Sequence, residues 1–176
     1  MLECLVEGEI SDRMSAADRG WQYGDGLFET MAVFQGTPRF WQGHMDRLAL
    51  GCEHMGLPTT PQSVLLREVQ TVSTGRRRCV VKIILTRGRS GRGYGADEEV
   101  RTNRVVCSWA WPDDPGHLVE TGICTRICDL RLGIQPALAG LKHLTRLEQV
   151  VARAEWKDPT IHEGILLDAE DYVVSA

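Results

Sequence analysis

The chain has 176 residues, 43% of them hydrophobic and 25% charged, with a formal net charge of -4. That balance excludes a general binder of nucleic acid or of anionic membrane, and no apolar run is long enough to span a bilayer. The N-terminus, Met1-Leu2-Glu3-Cys4, lacks the basic and apolar regions of a signal peptide, so the six cysteines are expected to be reduced, mostly buried thiols of a cytoplasmic protein.

In chain order, Leu27 to Phe34 carries apolar residues on both alternating faces, as a strand buried on two sides would. Gln35-Gly36-Thr37-Pro38 supplies a turn. Met45, Leu48, Cys52 and Met55 recur at three- and four-residue steps and predict a helix closed by Gly56, with Pro58 beyond. Thr60 as N-cap and Pro61 at the first position open a second helix through Val64, Leu65, Val69 and Val72. Cys79 to Leu85 reads as a central strand and Asn103 to Trp111 as another. The loop between them, Thr86 to Gly95, is rich in glycine and arginine. Its glycine spacing matches no recognised phosphate loop, and it is expected to be mobile and solvated.

Pro112-Asp113-Asp114-Pro115-Gly116 is the best linker candidate. The expected organisation is therefore a small domain over 1–112, a linker over 113–118 and a second domain over 119–176. In the second domain a strand is expected from Val119 to Cys128, placing Cys124 and Cys128 on one face. No other cysteine or histidine pair stands at ligand spacing, so no metal site is expected. A helix follows from about His143 to Trp156, then a hairpin of Gly164 to Asp168 and Tyr172 to Val174. The last strand has only begun where the sequence stops. An unpaired edge of that kind predicts completion by another chain or a longer protein, so the chain is expected to be C-terminally incomplete.

Three segments carry candidate chemistry. Lys142 is the only lysine between Leu130 and Val151, at the point where the Ala139-Gly140 turn gives way to a helical pattern. Desolvation at such a boundary lowers the pKa of an amine and makes it a nucleophile toward carbonyl carbon. In His44-Met45-Asp46-Arg47-Leu48, His44 and Arg47 lie three apart on one helix face, and an arginine can grip a phosphate through two N–H groups. In Asp18 to Thr30, Gly24 and Gly26 flank Asp25 at the entrance to the first long strand, as a tight turn stapled by that aspartate.

Taken in order, DRGWQYGDGLFET, GHMDRL, AGLKHLTRLEQV and EGILLDAEDYVV resemble the pyridoxal-phosphate enzymes of fold type IV. That group holds the branched-chain and D-amino-acid aminotransferases and 4-amino-4-deoxychorismate lyase, and RGRSGRGYG with AGLKHLTRLEQV is most similar to the lyase branch. The resemblance implies an α+β fold. A small N-terminal α/β domain with a mixed sheet and two helices would be followed by the beginning of a larger, β-rich cofactor domain.

The resemblance also implies pyridoxal 5'-phosphate as cofactor, a homodimer, and aminodeoxychorismate as a small-molecule substrate cleaved to 4-aminobenzoate and pyruvate in folate biosynthesis. No nucleic-acid or membrane partner is implied. An aminotransferase of the same fold and a non-catalytic homologue remain the alternatives. Residue by residue, Lys142 matches the lysine that bonds to the cofactor aldehyde, Arg47 the arginine on its phosphate, and Phe28 and Thr30 the strand that faces substrate. Leu147 stands where the aminotransferases have a tyrosine. Ser175 stands where the family has a glutamate facing the pyridine nitrogen, and a neutral hydroxyl there makes the ring a weaker electron sink.

Overall fold

The computed structural model describes residues 3–96, 101–112 and 116–176, with only the backbone of His117. Residues 113–115 of the expected linker lie outside the described residues. The chain forms two compact units, one of Met1–Pro112 with Gly140–Thr145, the other of Asp113–Ala139 with Arg146–Ala176. The segment that carries Lys142 thus packs with the first unit, although the expected division left it in the second.

The first unit runs β1 (Glu3–Val6), β2 (Glu9–Ile10), α1 (Arg19–Tyr23), β3 (Gly26–Phe34), β4 (Thr37–Pro38), α2 (Trp41–Met55), α3 (Gln62–Val72), β5 (Arg78–Thr86) and β6 (Asn103–Ala110). Its strands form one sheet in the order β2-β1-β6-β5-β3-β4. The fold is α+β as expected, but every strand pair in this sheet is antiparallel rather than mixed.

Side chains alternate across the sheet. Leu27, Met31 and Val33 of β3 and Val81, Ile83 and Leu85 of β5 form one core with Met45, Leu48 and Cys52 of α2 and Leu65, Val69 and Val72 of α3. The opposite face is less covered. Phe28 and Ala32 are half-buried there and Thr30 and Phe34 are exposed, so β3 is not buried on both sides as its composition suggested. Among the described residues no helix is long and apolar enough to cross a membrane.

The second unit contains α4 (Gly116–Thr121), β7 (Thr125–Leu132), a short 3-10 turn at Pro136–Leu138, α5 (Leu147–Arg153), β8 (Glu163–Asp168) and β9 (Val173–Ser175). Parallel pairing occurs here, between β7 and β8, while β8 and β9 are antiparallel. Cys128, Leu132, Ala152, Trp156 and Leu166 form its core.

Several further expectations are corrected. The strand expected over Val119–Cys128 is a short helix and a later strand, because Gly122 (φ 79°) ends α4 with its N–H on the Leu118 carbonyl. Cys124 then precedes β7 and is exposed while Cys128 is buried, so the two do not share a face. Helix α3 starts at Gln62 with Pro61 in the cap position, its carbonyl accepting from Val64 and Leu65. The helix expected from His143 begins only at Leu147, since residues 142–144 are extended along β3. Finally, Cys4 and Cys107 stand directly opposite across β1 and β6, with Cα atoms 4.1 Å apart and their sulfurs at bonding distance, while Cys52, Cys79, Cys124 and Cys128 are free thiols as expected.

Candidate functional site

Asp18 sets the geometry at the start of the site. It is fully buried and caps α1 by accepting from the Gly20 N–H at 2.8 Å. Thr86 Oγ1 and Asn103 Nδ2 donate to its other oxygen at 2.9 and 2.6 Å, tying α1 to the ends of β5 and β6. Arg19, 4% exposed, donates to the carbonyls of Gly93, Tyr94 and Gly95. The glycine- and arginine-rich loop is therefore tied to Arg19 at this end, while Arg89, Arg92 and Tyr94 are solvent-exposed as its composition suggested.

Asp25 receives Arg19 Nε and Arg87 Nε, each at 2.8 Å. Burial opposes its charge, but the hydrogen bonds and charges of Arg87 and Arg19 outweigh that and hold the carboxyl below the ordinary aspartate value. A carboxyl lowered by folding contributes stability that is complete above its unfolded pKa, about 3.9, and lost as pH falls through the folded value. The stability difference between wild type and Asp25→Asn, read by urea unfolding, should be constant above about pH 5 and shrink below about pH 4. A difference that stays constant down to pH 2 would refute this assignment.

Lys142 lies on the outer edge of β3. The Phe28 N–H donates to the Lys142 carbonyl and the Leu144 N–H to the Gly26 carbonyl, both at 2.9 Å, with Leu27 and His143 forming a bridge. The half-buried Lys142 places its Nζ 4.6 Å from the centroid of the Phe28 ring. Lys82 Nζ lies 4.4 Å from the same centroid. Thr30 is directly opposite Lys82 in the β3–β5 register, on the same face as Phe28. The structure thus gathers Lys142, Phe28, Thr30 and Lys82 on one face of the sheet, around the start of β3.

Arg47 is placed differently. It reaches Glu29, the residue between Phe28 and Thr30 on the helix-covered face of β3, through Nε at 2.7 Å and Nη2 at 2.6 Å. His44 Nδ1 meets the same carboxylate at 2.7 Å. Ser175 is in the second unit, half-buried on β9, where Leu166 of β8 is its register partner. Its hydroxyl donates to the Ala176 carbonyl at 3.4 Å. Leu147 opens α5 and is 70% exposed.

Sequence reasoning did not single out Glu29 or Lys82. A signal for Glu29 was present, because it is the one acid at an inward position of the LFETMAVF alternation. Lys82 stood in CVVKIIL as the only charge, on the face that Phe28 and Thr30 share.

The Lys142 amine lies with Phe28 and the Arg47 guanidinium with Glu29 on the other face of β3, and each has its own chemistry. An amine against an aromatic ring can condense with a carbonyl, and a half-exposed guanidinium can bind a phosphate. In Arg47 the Nε–Nη2 edge is used by Glu29, and the Nη1–Nη2 end of the fork is not taken by that carboxylate.

Residues 26–176 match the family model described as amino-transferase class IV. The aminodeoxychorismate lyase of Vibrio harveyi is 30% identical over 96% of this chain and 62% of its own length. A putative branched-chain-amino-acid aminotransferase of Methanocaldococcus jannaschii is 26% identical over 98% of this chain, again 62% of the relative. The crystal structure of 4-amino-4-deoxychorismate lyase from Pseudomonas aeruginosa superposes with a TM-score of 0.90 at 42% identity, covering 97% of this chain and 63% of that one. This chain therefore spans less than two thirds of the length of each of these proteins.

Proposed function

Because this chain belongs to the amino-transferase class IV family, we propose that it works as a pyridoxal-phosphate-dependent lyase that cleaves 4-amino-4-deoxychorismate to 4-aminobenzoate and pyruvate. The observation that carries the reading is the docking of Lys142 on β3, with its amine over Phe28. Likeness to two lyases of that name supports it, as does Leu147 in the place where the family's aminotransferases carry tyrosine.

In this reading Lys142 and Arg47 would hold the cofactor by its aldehyde and phosphate ends, and Ser175 would take the place of the family's pyridine-nitrogen partner, as the resemblance implies. The bound cofactor supplies an electron sink for charge developing on the substrate. The Lys142 amine takes a proton from the substrate ring carbon and then delivers one to the departing enolpyruvyl group. A base positioned in this way contributes roughly two to four orders of magnitude in rate. Phe28 and Thr30 line the substrate's place and orient it. The protein works in the cytoplasm, in folate biosynthesis, as a homodimer.

The test is turnover by the protein expressed at its full genomic length. Release of 4-aminobenzoate from aminodeoxychorismate supports the reading. A second reading, an aminotransferase, is favoured by the archaeal relative. Formation of pyruvate and glutamate from D-alanine and 2-oxoglutarate, with no 4-aminobenzoate from the first assay, would establish that one instead. Ser175 in the glutamate's place favours a third, non-catalytic reading, for which failure to take up pyridoxal phosphate is the expected result.

A further inference from the structure

Residues 27, 29, 31 and 33 of β3 are buried on the helix-covered face, and three of the four are apolar. Glu29, fully buried, is the exception. A carboxylate withdrawn from water is retained only where it is paired and hydrogen-bonded, and Glu29 is paired three times. Arg47 Nε donates to Oε1 at 2.7 Å, Arg47 Nη2 to Oε2 at 2.6 Å, and His44 Nδ1 contacts Oε2 at 2.7 Å. The two members of the ion pair differ sharply in exposure, with 1% of the Glu29 side chain accessible against 47% of Arg47. The inner partner is fixed by the core, and the outer one is half in solvent.

We infer that Glu29 is a positioning residue for Arg47: its buried carboxylate, braced by His44, clamps the Nε–Nη2 edge of the guanidinium and leaves the other end to receive a phosphate monoester. The inference rests on the function proposed above, in which Arg47 takes the cofactor phosphate. An unclamped arginine has many rotamers, and freezing one of them is part of the cost of binding. A clamp made in the folded protein removes that cost before the ligand arrives. His44 and Arg47 lie on α2 three residues apart and both reach one residue of β3, so the clamp also sets helix against strand.

The test compares dissociation constants of pyridoxal 5'-phosphate and of pyridoxal, which lacks the phosphate, for apoprotein of full genomic length. Glu29→Gln should weaken pyridoxal phosphate about tenfold, since a positioned charge-assisted contact is at stake, and leave pyridoxal unchanged. In an Arg47→Met background, Glu29→Gln should have no further effect on pyridoxal phosphate. Equal weakening of both ligands, or binding of pyridoxal phosphate as tight as or tighter than wild type, would overturn the inference. Should Glu29→Gln not fold, His44→Gln decides by the same two constants, with a smaller loss confined to the phosphorylated ligand as the supporting result. Wild-type protein that binds both ligands equally would instead overturn the phosphate role of Arg47 on which the clamp depends.

Discussion

Lys142→Ala is expected to lower lyase turnover by roughly two to four orders of magnitude, the contribution of a well-placed proton-transfer group, and to abolish the visible absorption of lysine-bound cofactor. The expectation comes from placement more than from residue type. The chain has three lysines, at 82, 142 and 157. Lys142 is hydrogen-bonded to the start of β3 on the side away from β5, whereas Lys82 lies within β5 opposite Thr30 with its amine near the same Phe28 ring. The Lys142 carbonyl accepts from Phe28 while the Lys142 amine lies over the ring of the same residue, so backbone and side chain are both oriented by one neighbour.

Lys157→Ala, at an exposed position of the second unit, should leave turnover unchanged and serves as the control. A small exogenous amine should restore part of the lost rate in Lys142→Ala, because it replaces the proton carrier without replacing the tether. A Lys142→Ala protein with full turnover would remove the basis of the proposed function.

Gly26→Ala is expected to be the most damaging change of a single methyl group near the site. A Cβ at Gly26 would lie 2.3 Å from the Leu85 carbonyl oxygen, 2.9 Å from Thr86 Cα and 2.8 Å from Leu144 Cδ1. Two of these three are backbone atoms of β5 and cannot turn aside. The third belongs to the segment that holds Lys142. The strands must part or that segment must move, at a cost of about 1–3 kcal/mol for overpacking. For a chain of this size each kcal/mol corresponds to about 2–4 °C in Tm.

Turnover should fall further than the loss of folded protein accounts for, since the displaced residues carry the amine. Gly43→Ala is the opposite case, an exposed glycine in α2 with no atom within 4 Å of its Cβ. There the gain in helix propensity should raise stability by about 0.5–1 kcal/mol. Thermal unfolding of the two variants checks both signs.

The parts of the fold legible in the sequence were those governed by local periodicity. Met45, Leu48 and Cys52 marked α2, and Gly56 closes it with a left-handed conformation, as its position predicted. β5 and β6 also lie within a residue of the expected bounds. What local pattern could not convey was tertiary competition. KHLTRLEQV has helical spacing throughout, yet its first residues are extended because β3 offers hydrogen bonds at Gly26 and Phe28. The sequence reading placed only a tight turn around Asp25, and α1 forms just before it because Asp18 supplies the cap.

The site shows the same division. Lys142, Arg47, Phe28 and Thr30 stood out in the sequence through the family resemblance, while Glu29 appeared as one more residue of a strand. Its importance depends on which face α2 covers, and only the fold supplies that. The approach of Cys4 to Cys107 was equally invisible, because the two residues are 103 apart in sequence and opposed only through the β1–β6 register.

The most direct test of the central claim is chemical. Protein of full genomic length, loaded with pyridoxal phosphate, is reduced with borohydride, digested and mapped by mass spectrometry. The account predicts a phosphopyridoxyl adduct on the peptide that contains Lys142 and on no other. An adduct on Lys82, on Lys157 or on any other residue, or no adduct at all, would contradict it.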